Sequence, residues 1–120
     1  MLNNLMNIHY DLSFLKDYFD DDMESIVPIL KLYLEETPKE LANIESALLK
    51  NDAATAKAVT HKIKTNVVML GILDAGTFIN DMHLQLAGDD VTAALIRSFQ
   101  KFKDAVEGAL VAIQHDFAEK

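Results

Sequence analysis

Apolar residues recur along this chain at intervals of three and four, the spacing that places them on one side of an α-helix. We find no segment in which apolar and polar residues alternate in steps of two, the pattern typical of a β-strand. Four glycines and two prolines among 120 residues leave few positions that interrupt helices. The sequence therefore predicts an all-α protein.

The first two predicted helices lie in the N-terminal third of the chain. A short helix is expected over about 12–19, where Asp11 can accept hydrogen bonds from the exposed amides at its start. A second helix is expected from the acidic residues 20–22 to Glu36. Pro28 lies inside this segment, so either the helix bends there or its regular part begins near that residue.

A strong start signal for a third helix follows. Thr37 can cap, Pro38 fits the first helical position, and Glu40 can reach back to complete a capping box. This pattern predicts a break between the second helix and a third helix that stops near Asn51.

Capping residues also mark the later helices. Asp52 is expected to cap a fourth helix that runs to about Leu70, and Gly71 to end it in the left-handed conformation. Asp74 is expected to cap the fifth helix, and the sixth is expected over about 91–117. The predicted core is one apolar stripe per helix: Leu12, Leu15 and Phe19; Ile26, Ile29, Leu30 and Tyr33 or Leu34; Leu41, Ile44 and Leu48; Ala56, Val59, Ile63, Val67 and Leu70; Phe78, Ile79 and Met82; Val91, Leu95, Phe99, Phe102, Val106, Leu110, Ile113 and Phe117.

Composition narrows the class of protein. A chain of 120 residues with 50% apolar content suits one domain with one core. Its longest apolar run, 67–73, is far shorter than the roughly 20 residues that span a bilayer. With no basic and apolar leader at the start, a soluble cytoplasmic protein is expected. The lack of cysteine excludes disulfides and thiolate chemistry, and the net charge of -8 argues against nucleic acid as a partner.

One histidine stands out on the fourth helix. At roughly 100° per residue, the apolar stripe of this helix faces one way and His61 points almost directly away from it. His61 is therefore expected to face solvent. The residues expected beside it on the outer face are Ala54, Lys57, Ala58, Lys64, Thr65 and Val68.

The surroundings of His61 are cationic although the chain has 19 acidic residues. No acidic residue lies between Asp52 and Asp74, a window that contains Lys57, Lys62 and Lys64. An imidazole, with a reference pKa of about 6.5, offers a free lone pair near neutral pH. Lys64 lies one helical turn away and can stabilise the negative charge of a phosphoryl group, whereas Lys62 lies about 100° around the helix and ranks second.

The segment 58–71, AVTHKIKTNVVMLG, resembles the signature of the histidine phosphotransfer (HPt) family. That family has an aliphatic residue two positions, a lysine three positions and a glycine ten positions after the phosphorylated histidine. This chain has Ile63, Lys64 and Gly71 at those offsets from His61. Residues 30–38 and 41–52 look like the helix pair that precedes the signature, so the resemblance covers nearly the whole chain.

The resemblance implies an antiparallel four-helix bundle with additional N-terminal helical elements. It implies a monomeric phosphoryl carrier with no ATP-dependent kinase activity of its own, no bound cofactor, and no metal. The implied partners are receiver domains of a hybrid histidine kinase and of a response regulator, whose aspartate and Mg²⁺ catalyse most of the transfer. We expect Lys57, Ala58, Thr65 and Val68 to contact these partners.

Two positions near the predicted site depart from the family pattern. Thr65 occupies the place four residues after the histidine, where the family usually has glycine, so it could slow transfer or select the partner. His83 lies 22 residues after His61, where the family often has an acidic residue or glutamine that hydrogen-bonds the active imidazole.

Two other classes of protein fit parts of the pattern. A helical adaptor could bind a partner through the His61 face without carrying phosphate. The dimerisation domain of a histidine kinase also presents a helical histidine, but acid normally follows that histidine, where this chain has Lys62 and no glycine-rich nucleotide-binding segment. We interpret His9, His83 and His115 as structural or solvated, because none of them has surroundings comparable to those of His61. No metal site is expected, because no paired spacing typical of a helical metal site occurs.

Overall fold

The computed structural model describes residues 10–88 and 90–118, and in these ranges the backbone forms helices and no strand. The helices are α1 (Ser13–Tyr18), α2 (Met23–Leu49), α3 (Ala53–Met69), α4 (Leu73–Gln85) and α5 (Ala93–Ile113), and α5 continues into a π-helical turn (Gln114–Ala118). The prediction of an all-α protein is confirmed.

The long helices α2 to α5 pack as a bundle. Helix α2 packs against α3, α3 against α4, α4 against α5, and α5 returns to α2, so the helices surround one core. The links at 50–52 and 70–72 are short, which makes the helices that they join antiparallel. Helix α1 packs on α2 as an additional N-terminal element. The architecture is thus an antiparallel four-helix bundle with an N-terminal helical addition.

The predicted break before Pro38 is wrong, because α2 is one helix of 27 residues that contains both Pro28 and Pro38. Thr37 and Glu40 are buried, and both accept hydrogen bonds from Asn66 on α3 instead of capping a helix start. Each proline removes one backbone hydrogen bond, but the apolar stripe on both sides of Pro38 stays on one face and favours a continuous helix. The buried apolar members of that stripe are Ile26, Leu30, Leu41, Ile44 and Leu48.

The other helix starts follow the predicted caps, with one exception. Asp52 accepts a hydrogen bond from the Thr55 amide at 3.1 Å, and Asp11 accepts one from the Ser13 amide at 2.8 Å. The prediction that Asp74 caps α4 is wrong, because α4 begins at Leu73 and Asp74 lies inside its first turn. The preceding residue, Ile72, is buried in the core and already accepts the first hydrogen bond of this helix, which fixes the start.

Thr92 caps the start of α5, since its hydroxyl accepts a hydrogen bond from the Leu95 amide at 3.1 Å. The predicted sixth helix, over about 91–117, therefore corresponds to α5 and the π-helical turn. At that turn, Tyr10 donates a hydrogen bond to Asp116 and its ring packs on Phe117 with centroids 6.4 Å apart. These contacts attach the segment before α1 to the end of α5.

Every residue of the predicted apolar stripes is buried or half-buried. Phe99 and Phe102 of α5 are the largest fully buried side chains of the described chain. The prediction of one apolar core is therefore confirmed. Across residues 10–88 and 90–118, no helix combines the length and the apolar character needed to cross a membrane.

Gly71 sets the turn between α3 and α4. Its φ angle is +61°, in the left-handed region that favours glycine. The backbone of Asp11 passes directly over it, so an added Cβ would lie only 2.1 Å from the Asp11 carbonyl oxygen. The Asp11 amide donates to the Leu70 carbonyl at 3.1 Å. The missing side chain thus lets the segment that leads into α1 dock on the end of α3.

We predict that Gly71→Ala lowers the free energy of unfolding by about 2 kcal/mol or more, because left-handed strain adds to the clash with Asp11. The matched control is Gly76→Ala inside α4, where an added Cβ meets nothing within 4 Å. That substitution should raise stability by about 0.5–1 kcal/mol through helix propensity. Urea unfolding measures both variants, and a stable Gly71→Ala protein would contradict this account of the turn.

Candidate functional site

The rotation of α3 about its axis is fixed by a buried polar contact with α2. Asn66 is 7% exposed, and its Nδ2 donates to Thr37 Oγ1 at 3.0 Å and to Glu40 Oε2 at 3.1 Å. A buried amide without partners is costly, so this rotation is strongly preferred. The role of Asn66 could not be predicted from the sequence, because its partners lie on another helix, at sequence separations of 29 and 26 residues.

With α3 held in this rotation, its opposite face lies in solvent. His61 is exposed, as predicted from the apolar stripe. The other predicted site residues are also exposed, namely Lys57, Ala58, Lys62, Lys64, Thr65 and Val68. Val68 adds an aliphatic side chain to this face, since it is 52% exposed.

A shallow open concavity of about 340 Å³ lies beside the imidazole. It is lined by His61, Lys64, Thr65, Val68 and Met69, so it brings together four of the predicted residues. Met69 also lines the concavity, although it was not predicted as a site residue. It is half-buried and lies at the edge of the apolar stripe of α3. The exposed residues Lys57, Ala58 and Lys62 do not line this concavity.

The two lysines on either side of Ile63 have different surroundings. Lys62 Nζ lies 3.8 Å from Glu40 Oε1, so this ammonium group points toward α2. Lys64 lines the concavity with His61 and makes no ion pair with any residue in the described ranges. Lys64 is thus an ammonium group that is available to an anion in the concavity beside the imidazole.

Glu40 is a carboxylate in an unfavourable position. Burial raises its pKa above the ordinary value of 4.5, the positive charge of Lys62 opposes this effect, and Glu36 reinforces it. The hydrogen bond from Asn66 and the ion pair with Lys62 together satisfy the two carboxylate oxygens. Glu40 therefore links the buried contact of Asn66 to the lysine that follows His61.

A second imidazole lies next to His61. His83 is half-buried on α4, and its ring centroid is 6.2 Å from that of His61 with an interplanar angle of 68°, an edge-to-face arrangement. Burial lowers the pKa of His83, and the positive charges that Lys64, His61 and Lys57 carry or acquire act in the same direction. Its offset of 22 residues from His61 was the one sequence signal that could have placed it in the site.

Among the described residues, the remaining histidine, His115, is not part of this site. His9 lies outside the described residues. His115 is exposed in the π-helical turn, with Nδ1 3.3 Å from Asp116 Oδ1. Within residues 10–88 and 90–118, no three histidine, aspartate or glutamate side chains are grouped so that they could hold a metal ion.

The arrangement suits a reaction at an exposed nitrogen nucleophile. His61 projects from a rigid helix, an unpaired ammonium group lies one turn away, and the open concavity leaves room for a second molecule to approach. No protein-family model matches the sequence, and neither a curated protein nor a solved structure is significantly similar to it.

We predict that Asn66→Ala lowers the free energy of unfolding by about 1–3 kcal/mol, because it leaves the buried Thr37 hydroxyl and one oxygen of the buried Glu40 carboxylate without their donor. Asn43→Ala, at an exposed position of α2, is the matched control and should change stability by about 0.5 kcal/mol or less. Thermal unfolding at neutral pH checks both. Equal effects of the two substitutions would show that Asn66 does not hold α3 in place.

Proposed function

We propose that this chain is a histidine phosphotransfer protein of a multistep two-component phosphorelay. In this proposal His61 accepts a phosphoryl group from the aspartate of one receiver domain and passes it to the aspartate of another, in the cytoplasm. The observation that carries the proposal is the exposed imidazole beside a concavity that Lys64 lines from one helical turn away. The resemblance of residues 58–71 to the family signature supports it.

The transfer follows from the chemistry of imidazole. A lone pair of neutral His61 attacks the phosphorus of an aspartyl phosphate, the nitrogen–phosphorus bond forms, and the bond to the aspartate oxygen breaks. The aspartate leaves as a carboxylate on the receiver, and the reverse reaction regenerates the free imidazole. Because the transferred group is anionic throughout, the Lys64 ammonium group stabilises it on the His61 side. The receiver supplies its own Mg²⁺.

The surface around His61 suits a receiver as the partner. Thr65, Val68 and Met69 offer a small apolar area next to the imidazole, and burying Val68 against a partner removes apolar surface from water. Lys57 and Lys64 place positive charge on the same face of a chain whose net charge is -8. A phosphorylated aspartate on a partner is attracted to this face, and the rest of the acidic surface favours docking in this orientation.

The chain is proposed to be a carrier of the phosphoryl group. The transfer needs no nucleotide, because the aspartyl phosphate already provides the activated phosphoryl group, and neither Lys57 nor Lys64 belongs to a glycine-rich phosphate-binding loop. We therefore assign no ATP-dependent kinase activity to this protein. The alternative function is that of a helical adaptor, which would bind the same receivers without accepting phosphate. A transfer assay distinguishes this adaptor from a phosphoryl carrier.

We predict that His61→Gln abolishes phosphotransfer and leaves the fold intact, because His61 is exposed and the apolar stripe of α3 is untouched. The assay incubates the chain with phosphorylated receivers and follows acid-labile phosphate, with circular dichroism as the control for folding. Retained transfer in the variant, or phosphate mapped to His9, His83 or His115, would refute the site. Receiver binding without any transfer to the parent protein would identify an adaptor.

We predict that Lys64→Ala slows transfer by about tenfold or more, the effect of one lost charge-assisted hydrogen bond. Lys62→Ala is the matched control. It should change the transfer rate by about threefold at most, because the Lys62 ammonium group is directed toward Glu40. Single-turnover rates measure both substitutions. Equal effects would mean that general positive potential, and not one directed ammonium group, assists the reaction.

We predict that Thr65→Gly opens the approach to His61 and reduces discrimination among receivers, because Thr65 lines the concavity beside the imidazole. Transfer from non-cognate receivers should accelerate more than transfer from the cognate one. Glycine in a helix interior should lower stability by about 0.5–1 kcal/mol, which thermal unfolding monitors. If all receivers transfer at unchanged rates to the folded variant, Thr65 has no role in selecting partners.

A further inference from the structure

Glu40 is a buried charged side chain that the proposed transfer does not use. Its side chain is 10% exposed, and among the described residues it is the one carboxylate or ammonium side chain that is buried. Its ion-pair partner, Lys62, is 74% exposed and directly follows His61 in the sequence. A buried carboxylate is therefore paired with an exposed ammonium group on the residue next to the proposed phosphoryl acceptor.

The two oxygens of the Glu40 carboxylate have different partners. Oε2 accepts the hydrogen bond from Asn66 at 3.1 Å, and Oε1 lies 3.8 Å from the Lys62 Nζ. Burial raises the pKa of Glu40 and the positive charge of Lys62 opposes this effect, so each charge stabilises the other. Because Glu40 is held by the buried contact and Lys62 has a flexible stem, the carboxylate determines where the ammonium group lies.

Lys62 has few other places to direct its charge. Within residues 10–88 and 90–118 it forms an ion pair with Glu40 alone. Glu36, which also acts on Glu40, is already paired with Lys39 at 3.2 Å. A phosphoryl group on His61 would carry about two negative charges, one residue away from the base of the four-carbon lysine stem. Without the Glu40 charge, we expect the Lys62 ammonium group to turn toward that phosphoryl group.

We propose that Glu40 is a positioning residue that holds the Lys62 ammonium group against α2 and so keeps it away from the phosphoryl group on His61. This role rests on the proposed phosphotransfer function. It explains why two lysines on either side of Ile63 differ, with Lys64 lining the concavity and Lys62 directed toward α2.

The consequence of this restraint is a site that binds the phosphoryl group less strongly. Transfer exchanges the bond between the receiver aspartate oxygen and phosphorus for a bond between His61 nitrogen and phosphorus. The equilibrium therefore depends on how well each protein stabilises the group. A further ammonium group at His61 would favour the phosphohistidine over the aspartyl phosphate and slow delivery to the next receiver. By pairing with Lys62, Glu40 keeps the transfer reversible.

Glu40→Gln tests this role, because the amide keeps an oxygen that can accept from Asn66 and removes the charge that holds Lys62. The first measurement needs no receiver. Phosphoramidate phosphorylates His61 chemically, since an imidazole nitrogen bonds to phosphorus and ammonia leaves, and the signal is identified by its loss in His61→Gln. Phosphorus NMR then follows the second ionisation of the phosphoryl group, whose pKa is ordinarily about 6.

In the Glu40→Gln background, we expect the further change Lys62→Ala to raise the pKa of the phosphoryl group, because a nearby ammonium group favours the dianion. Lys39→Ala in the same background is the matched control. It should leave this pKa unchanged, since Lys39 is paired with Glu36 on α2. In the parent, where Glu40 holds the ammonium group, Lys62→Ala should have a smaller effect than in Glu40→Gln.

The second measurement mixes the chain with a phosphorylated receiver and Mg²⁺ and determines the equilibrium ratio of phosphorylated His61 to phosphorylated receiver. Glu40→Gln should raise this ratio by about three- to fivefold, the contribution of one exposed ion pair. Adding Lys62→Ala to Glu40→Gln should remove the increase. Circular dichroism checks that each variant is folded.

A Glu40 that only supports the fold would produce no effect that depends on Lys62. Equal effects of Lys62→Ala on the phosphoryl pKa in the parent and in Glu40→Gln would therefore overturn the proposed role. So would an increased equilibrium ratio that persists in the double variant. If no receiver exchanges phosphate with the parent, the proposed function fails, while the chemically phosphorylated protein still decides whether Glu40 restrains Lys62.

Discussion

The contact of Asn66 with Thr37 and Glu40 is the constraint on which the rest of the site depends. Apolar stripes bring α2 and α3 together, but apolar contacts are non-directional and tolerate some rotation of one helix against the other. A buried amide with two defined acceptors does not tolerate such a rotation, because the Asn66 amide, the Thr37 hydroxyl and the Glu40 carboxylate would lose this contact. The same rotation that satisfies Asn66 places His61 in solvent and Lys64 beside it.

Charge is distributed along α3 so that its outer face can meet an anion. Lys62 is paired with the buried Glu40, whereas Lys64 stays available at the concavity. Lys62 thus stabilises the buried carboxylate, whereas Lys64, two residues later, has the proposed chemical role. The neighbouring helix α4 contributes His83, so two helices form the surroundings of the His61 ring.

Features that depend on local sequence pattern could be predicted from the sequence. The apolar stripes, the cap at Asp52 and the left-handed Gly71 follow from spacing and from residue chemistry, and the exposure of His61 follows from the stripes. Features set by other helices were missed. Thr37 was predicted to cap a helix because its actual partner, Asn66, lies on α3 and could not be identified from local sequence. His83 was interpreted as structural because only the packing of α4 on α3 brings it to His61.

Phosphorus NMR of the isotope-labelled protein can show whether His61 carries the phosphoryl group. The intact chain is incubated with a phosphorylated receiver and Mg²⁺, and the new signal is correlated to the ring nitrogens of its histidines. We expect a nitrogen–phosphorus bond on His61 that is stable in base, is lost in acid and disappears when a second receiver is added. A phosphoryl group that stays on the receiver, or that appears on any other residue of this chain, would show that His61 is not the carrier.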